Sequence, residues 1–347
     1  MSALVLITRG TAEPDRGVAR LAWVDVLRGL AILAVVLYHA DLQVSLGLDT
    51  RLGVITTIND TIGPFRMPIL MFLSGILLPI SLAKPANIYL KGKFGKIAWP
   101  YFVWSFANLA VLVAASSARE EVVGLGHFGR VFYAPPTYHW YLAYLVVFYV
   151  LALPFAGLPR VRLATIPLAL VGAAFSDGQW ERFLFLWAFF MAGDFVARHW
   201  DQLKGLVSRP WVVAICAIAA VPVLFSAATG DDLRYDSWWA VGILAAVFAL
   251  RPLMQFVAPT LIGVGLAAVG RQSIVYYVSH YLVITLAFHA LTRLVGVTSP
   301  WLLFVVTSVV ALALGFILVR LRRYSVVGWL FEWAPKRELS ADSRALR

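Results

Sequence analysis

Arg28 and His39 stand eleven residues apart in VDVLRGLAILAVVLYHA (24–40), a stretch that is otherwise almost entirely apolar. At 100° per residue that separation is three helical turns plus about 20°, with about 16 Å of rise, so on a helix both side chains leave from one face. Histidine titrates near neutral pH and can take a proton or briefly carry an acyl group, while arginine can hold an anion or steady a charged cavity. Asp25, three residues before Arg28, falls on nearly the same face and is placed to pair with it. A charged group inside a membrane span costs roughly 2.5–3.5 kcal/mol, so this stripe is expected to face a bundle interior or a wet cavity. The plainer alternative makes Arg28 an interfacial anchor and His39 a residue at a helix end.

The elements that must position these groups are membrane helices. The 347 residues are 61% hydrophobic and 14% charged, with a mean hydropathy of +0.82. Blocks of about 20 apolar residues are what a bilayer core about 30 Å thick requires. About ten such spans are expected, near 21–40, 65–83, 97–117, 138–157, 161–176, 183–200, 211–228, 237–257, 272–292 and 300–320. This is the pattern of an all-α polytopic membrane protein with one helix bundle over 21–331, between cytoplasmic tails at 1–20 and 332–347. The stretch 52–64 reads as an outer loop, an interfacial helix or an extension of the second span. LIGVGLAAVG (261–270) is too short to cross and reads as an interfacial or re-entrant connection.

Lysine and arginine set the orientation, because cytoplasmic loops retain positive charge. With both termini inside, 22 of the 29 basic residues are cytoplasmic, and Arg51, Arg66, Arg119, Arg130, Arg182, Arg234 and Arg293 face outward. The expected location is the inner (plasma) membrane. The net charge of +11 then follows from this asymmetry against anionic membrane lipids and gives no support for a nucleic-acid partner. The first span shows no cleavage pattern and is read as retained. Cys216 is the sole cysteine, which excludes an internal disulfide or a thiolate cluster; no close His/Asp/Glu grouping within one helix suggests a metal.

Other residues could join the site. Ser74 and Gly75 suit close helix contact, with Ser74 also a possible substrate contact. Tyr277 and His280, three apart, share a face and could form an interior hydrogen bond or line the site. His139 and Trp140 lie at a helix end, where an aromatic belt competes with acceptor-sugar stacking. His127, His199 and His289 are assigned to loops or interfaces. In KGKFGK (91–96), Lys93 and Lys96 would share a face of a first helical turn and could clamp a phosphate, against the reading that they only mark the cytoplasmic side.

The R-x10-H spacing in LRGLAILAVVLYHA resembles the first-helix signature of the integral membrane acyltransferase-3 family, whose members move short acyl groups from acyl-coenzyme A to sugars and glycolipids. Similar blocks follow in order: FRMPILMFLSGILL (65–78), KFGKIAWPYFVW (93–104), HWYLAYLVVFYV (139–150) and GRQSIVYYVSHYLV (270–283). The wording around Met67 and Pro68 resembles the branch containing fucose 4-O-acetylases. Lys93 and Lys96 stand where that pattern commonly has arginines, and Arg66 stands where that branch has histidine.

The resemblance implies an O-acyltransferase that moves an acetyl or other short acyl group from acyl-CoA to a hydroxyl of a sugar, polysaccharide or glycolipid. His39 is then base or transient acyl carrier, Arg28 meets coenzyme A or sets the cavity's charge, and Asp25 orients Arg28. Lys93, Lys96, Ser74, Tyr277, His280, His139 and Trp140 are the expected substrate contacts. Acetyl-CoA is a donor substrate here, and no tightly bound cofactor is expected. A transporter or lipid flippase would share the spans and basic loops, but related halves or paired broken helices are not apparent. A non-catalytic membrane scaffold is the third class.

Overall fold

The computed structural model describes residues 22–116, 126–133 and 137–333. In chain order the helices are α1 (Ala22–Leu48), α2 (Val54–Thr61), α3 (Gly63–Gly75), α4 (Leu78–Leu82), α5 (Ala86–Lys93), α6 (Trp99–Ser116), α7 (Gly126–Tyr133), α8 (Trp140–Ala152) and α9 (Pro159–Ala174). They continue with α10 (Gly178–Arg198), α11 (Trp200–Leu206), α12 (Pro210–Thr229), α13 (Ala240–Val257), α14 (Leu261–Arg271), α15 (Ser273–Ala290), α16 (Pro300–Leu321) and α17 (Ser325–Trp329). The protein is an all-helical polytopic membrane protein. The tails, with Arg9, Arg16 and Arg20, and the loop holding Arg119, Glu120 and Glu121 lie outside the described residues.

Seven helical stretches among the described residues are long and apolar enough to cross a bilayer: Ala22–Leu48, Gly63–Leu82, Ala86–Ala114, Pro210–Thr229, Ser237–Val257, Ser273–Val295 and Pro300–Leu321. The other three expected spans are helical too, but differ in kind. Helix α8 has 13 residues and α9 has 16, at 1.5 Å per residue too short to cross a hydrocarbon core about 30 Å thick without help. Helix α10 has 21 residues but carries Glu181, Arg182, Asp194 and Arg198. Its burial explains how the charges are tolerated: Asp194 is fully enclosed, with Oδ2 accepting from Arg162 Nε at 3.1 Å and Arg198 Nη2 at 2.6 Å.

Helix α1 is the axis of the bundle, and α3, α13, α14, α15 and α16 all pack against it. It runs past residue 40 to Leu48, so Asp41 is buried rather than in a loop. That carboxylate accepts from Thr56 Oγ1 and Asn59 Nδ2, both at 3.0 Å, which ties α2 to α1. The ambiguous stretch 52–64 is therefore a short helix with a buried polar face, followed by the turn at Ile62 that starts α3.

Glycines allow two backbone-to-backbone crossings. A Cβ on Gly29 would lie 1.9 Å from Leu266 O, and one on Gly270 would lie 2.0 Å from Asp25 O, so α14 is pressed into α1. LIGVGLAAVG is thus a wedge on the first helix. The same device joins α3 to α10, where a Cβ on Gly75 would lie 1.9 Å from Phe190 O and one on Gly193 would lie 2.1 Å from Phe72 O. Small residues at such contacts let van der Waals packing hold helices together where lipid supplies no hydrophobic drive.

Gly75→Ala should therefore force α3 and α10 apart and destabilise the bundle by about 1–3 kcal/mol, as overpacking does. Gly92→Ala, with nothing within 4 Å of the new methyl, should leave stability equal or raised by up to about 1 kcal/mol. Denaturation midpoints of the two variants in one detergent would check this. Equal midpoints would remove the close-approach argument.

Candidate active site

Two of the cavities along α1 hold the expected site residues. The larger, about 510 Å³, is lined by His39, Tyr38, Tyr138, Trp140, Tyr277 and a set of charged side chains that includes Arg66, Arg182 and Arg234. The smaller, about 150 Å³, is lined by Arg28, Ser74, Tyr141, Tyr149, Ser273 and Tyr277. Tyr277 belongs to both walls, so one phenol separates the His39 cavity from the Arg28 cavity. The helical arithmetic put Arg28 and His39 on one face, and the structure gives that face two chambers.

At His39 the tautomer follows from the neighbours. His280 Nδ1 lies 3.1 Å from Tyr276 O, and His39 Nδ1 lies 2.8 Å from Val35 O. A carbonyl oxygen only accepts, so each Nδ1 carries the hydrogen. His280 Nε2 is then a lone pair, and it accepts from the same His39 Nδ1–H at 3.1 Å. His39 Nε2 is left with its own lone pair, buried and without a hydrogen-bond partner among the described residues. The rings of Tyr38, Tyr138, His280 and Tyr281 surround it, the nearest centroid being Tyr138 at 4.2 Å. Such a nitrogen, its partner fixed by hydrogen bonds, has the form of a general base.

The smaller cavity opens a line of hydroxyls toward a lysine. Tyr141 OH lies 3.1 Å from Ser74 Oγ, Tyr149 OH donates to Ser74 O at 3.0 Å, and Tyr277 OH donates to Tyr138 O. Beyond Tyr149, Lys93 Nζ sits 3.4 Å from that ring's centroid and donates to Ser81 Oγ at 2.9 Å. Arg28 Nη2 donates to Leu73 O at 2.7 Å, crossing from α1 to α3.

Several expected placements change. Asp25 Oδ2 lies 3.9 Å from Arg271 Nη1, because α14 brings that arginine alongside the first turn, while Arg28 reaches across to Leu73 O. Lys93 and Lys96 do not share a face. Residues Phe94–Ala98 form a π-helical turn, whose wider winding separates positions three apart. Lys93 turns inward, while Lys96 is exposed and reaches Glu332 Oε1 at 3.8 Å. His139 is 2% exposed and away from the cavity, its ring between Ser105 Oγ at 3.4 Å and Val278 O at 3.3 Å; its neighbour Trp140 does line the cavity.

Sequence reading passed over Tyr138, Arg182 and Arg234, and gave Arg66 no settled role. Their one signal was charge: Arg66, Arg182 and Arg234 are among the few arginines on the side expected to be poor in them. Asp232 and Arg234 form a forked pair, Nε to Oδ1 at 2.7 Å and Nη2 to Oδ2 at 2.6 Å. That pairing holds the Asp232 carboxyl below the usual range. Among the described residues no three His, Cys, Asp or Glu side chains gather as a metal site requires.

Searches of curated proteins and of solved structures gave no match. A family model described as an acyltransferase domain matches residues 21–320, which takes in α1, both cavities, the His39–His280 pair and Lys93. The match covers most of the chain: it belongs to the acyltransferase-3 family of integral membrane acyltransferases.

Proposed function

We propose that the chain moves a short acyl group, acetyl before longer ones, from acyl-CoA to a hydroxyl of a sugar, polysaccharide or glycolipid. The observation that carries this is the unpartnered Nε2 of His39, aligned by Val35 O and His280 on the wall of the larger cavity, which shares Tyr277 with the smaller one. The acceptor enters the larger cavity, where Trp140 and the tyrosines offer faces for a sugar ring. The donor's acyl arm comes through the smaller one. His39 Nε2 takes the hydroxyl proton as the oxygen attacks the thioester carbonyl, the C–S bond breaks, and the thiolate leaves with a proton returned from His39. His280 Nε2 stays hydrogen-bonded to His39 Nδ1–H throughout and steadies the imidazolium, the positioning part that a third group plays in hydrolase triads.

Arg28 and Lys93 make the smaller chamber electropositive toward the donor. Lysine acts as a point charge on phosphate, and Lys93 is held ready by Ser81 and the Tyr149 ring. The excess of lysine and arginine around α5, α11 and the C-terminal region supports a cytoplasmic side there and at both termini, with the His39 cavity toward the far side of a plasma membrane. Donor and acceptor then approach from opposite sides and meet at Tyr277.

His39→Ala should insert normally and lose about 10²–10⁴ in transfer rate, the contribution of a positioned base. His280→Gln, which leaves His39 in place, should lower kcat while both KM values hold. Radiolabelled acetyl-CoA and a glycan acceptor, with purified protein in lipid discs, provide the assay. Turnover by His39→Ala within a few-fold of wild type would remove the base.

Lys93→Gln should raise the KM for acyl-CoA several-fold, make it less dependent on salt as screening has less charge to act on, and leave acceptor saturation alone. Lys96→Gln should change neither, since its partner is the surface Glu332. A donor KM that responds to Lys96 and ignores Lys93 would place phosphate recognition elsewhere.

A further inference from the structure

The larger cavity carries charge that base chemistry does not use. Its wall holds three guanidiniums, Arg66, Arg182 and Arg234, against two carboxylates, Glu181 and Asp232. Arg234 and Asp232 neutralise one another through two short bonds, and Asp60, which shares an adjoining cavity with Arg66, is paired with Arg51 at 2.6 Å, so Glu181 is the one other carboxylate on the wall that holds Arg66 and Arg182.

Both remaining arginines are built in. Arg66 is 8% exposed and lies with its Cζ 4.1 Å from the Tyr38 centroid. Its Nη1 donates to Asn59 O at 3.1 Å and reaches Asn59 Oδ1 at 3.5 Å; Nη2 and Nε meet no hydrogen-bond acceptor among the described residues. Arg182 has its Cζ 4.4 Å from the Trp140 centroid. Its Nη2 donates to Tyr144 OH at 3.4 Å, and its buried Nε has no partner among the described residues. Neither has a carboxylate within ion-pair distance there.

Enclosing a cation without its counter-charge is costly, which is why truncating one partner of a buried pair is strongly destabilising. Aromatic faces hold a guanidinium in place and leave its N–H edge directed elsewhere. That edge matches the two oxygens of a carboxylate or phosphoryl group as a lysine could not. A role as strut for the α2–α3 turn accounts for Arg66 Nη1 and for none of the donors left over. A volume of about 510 Å³ lies within the range of small-ligand sites, about 300–1,000 Å³.

We infer that the acceptor is a sugar bearing an oxyanion, carboxylate or phosphoryl, held by Arg66 and Arg182 while its hydroxyl lies toward His39. This rests on the acyl-transfer reading for the word acceptor, and on the cavity alone for the anion.

The test is binding to the wild-type chain in lipid discs without acyl donor, read by isothermal titration with glucose, glucuronate, glucose 1-phosphate and inorganic phosphate. At least a tenfold preference for one sugar anion over glucose is expected, weakening with salt and lost in Arg66→Gln and in Arg182→Gln. Glucuronate or glucose 1-phosphate as the tighter ligand identifies the group as carboxylate or phosphoryl. Arg66→Lys guards against misfolding: with the wild-type unfolding midpoint, it should keep part of the preference. If Arg66→Gln does not fold, Arg182→Gln decides. Equal binding of glucose and both sugar anions, or a preference untouched by the Gln variants, overturns the inference. So does inorganic phosphate binding as tightly as glucose 1-phosphate, which would mean an anion site that ignores the sugar. Anion preference in a protein that transfers no acyl group would keep the site and remove the enzyme reading; transfer without anion preference would do the reverse.

Discussion

Inside a hydrocarbon layer a polar group has no water to turn to, so each one must find its partner within the bundle or be left at a cost. Several of the buried polar side chains comply through nearby backbone carbonyls. His39 uses Val35 O, His280 uses Tyr276 O, Ser74 uses Leu70 O, Ser279 uses Val275 O and Thr307 uses Leu303 O, each one helical turn away. Because these bonds satisfy the nearer atom of each histidine ring, they also fix which atom remains. The unpartnered Nε2 of His39 is the by-product of a satisfied Nδ1, and the proposed chemistry depends on that.

Holding the ring is of little use unless α1 itself is held. The Gly29–Leu266 and Gly270–Asp25 contacts lock α14 onto its first turns, while α15 brings His280 to its far half. Arg28 ties the same helix to α3 through Leu73 O, and the Gly75–Gly193 crossing ties α3 to α10, which carries Arg182. Geometry at His39 is thus transmitted through helices packed backbone to backbone, with few flexible side chains between them. A site carried on such elements keeps its spacing better than one carried on loops.

What could be read from the sequence was what lies within one helix. The common face of Arg28 and His39 is a property of 3.6-residue winding, and so was the apolar length of most spans. What depended on a second helix was hidden. Asp25 found Arg271 because α14 lies there, and His139 fell into the core because Ser105 and Val278 flank it. Lys93 and Lys96 parted for a local reason, a π-helical turn, which no periodicity argument anticipates. Arg182 and Arg234 sit in segments far apart in sequence, and only the fold brings them to one wall. Their presence on the side expected to be poor in basic residues was the sign available beforehand, since an arginine that departs from the charge rule needs another reason to be there.

The two chambers differ in a way that suits two different ligands. The Arg28 chamber is small and walled by phenols, hydroxyls and aliphatic side chains, with Arg28 its one charged lining residue, which suits a thin, flexible group. The His39 chamber is wider, and its guanidiniums stand among aromatic faces, which suits a rigid polar ring. Tyr277 lies between them with its hydroxyl engaged to Tyr138 O, and the Tyr138 ring covers His39. A shift of Tyr138 would act on both contacts, its ring against His39 and its carbonyl on Tyr277. The setting of His39 and the wall shared by the two chambers are thus joined through one pair of tyrosines.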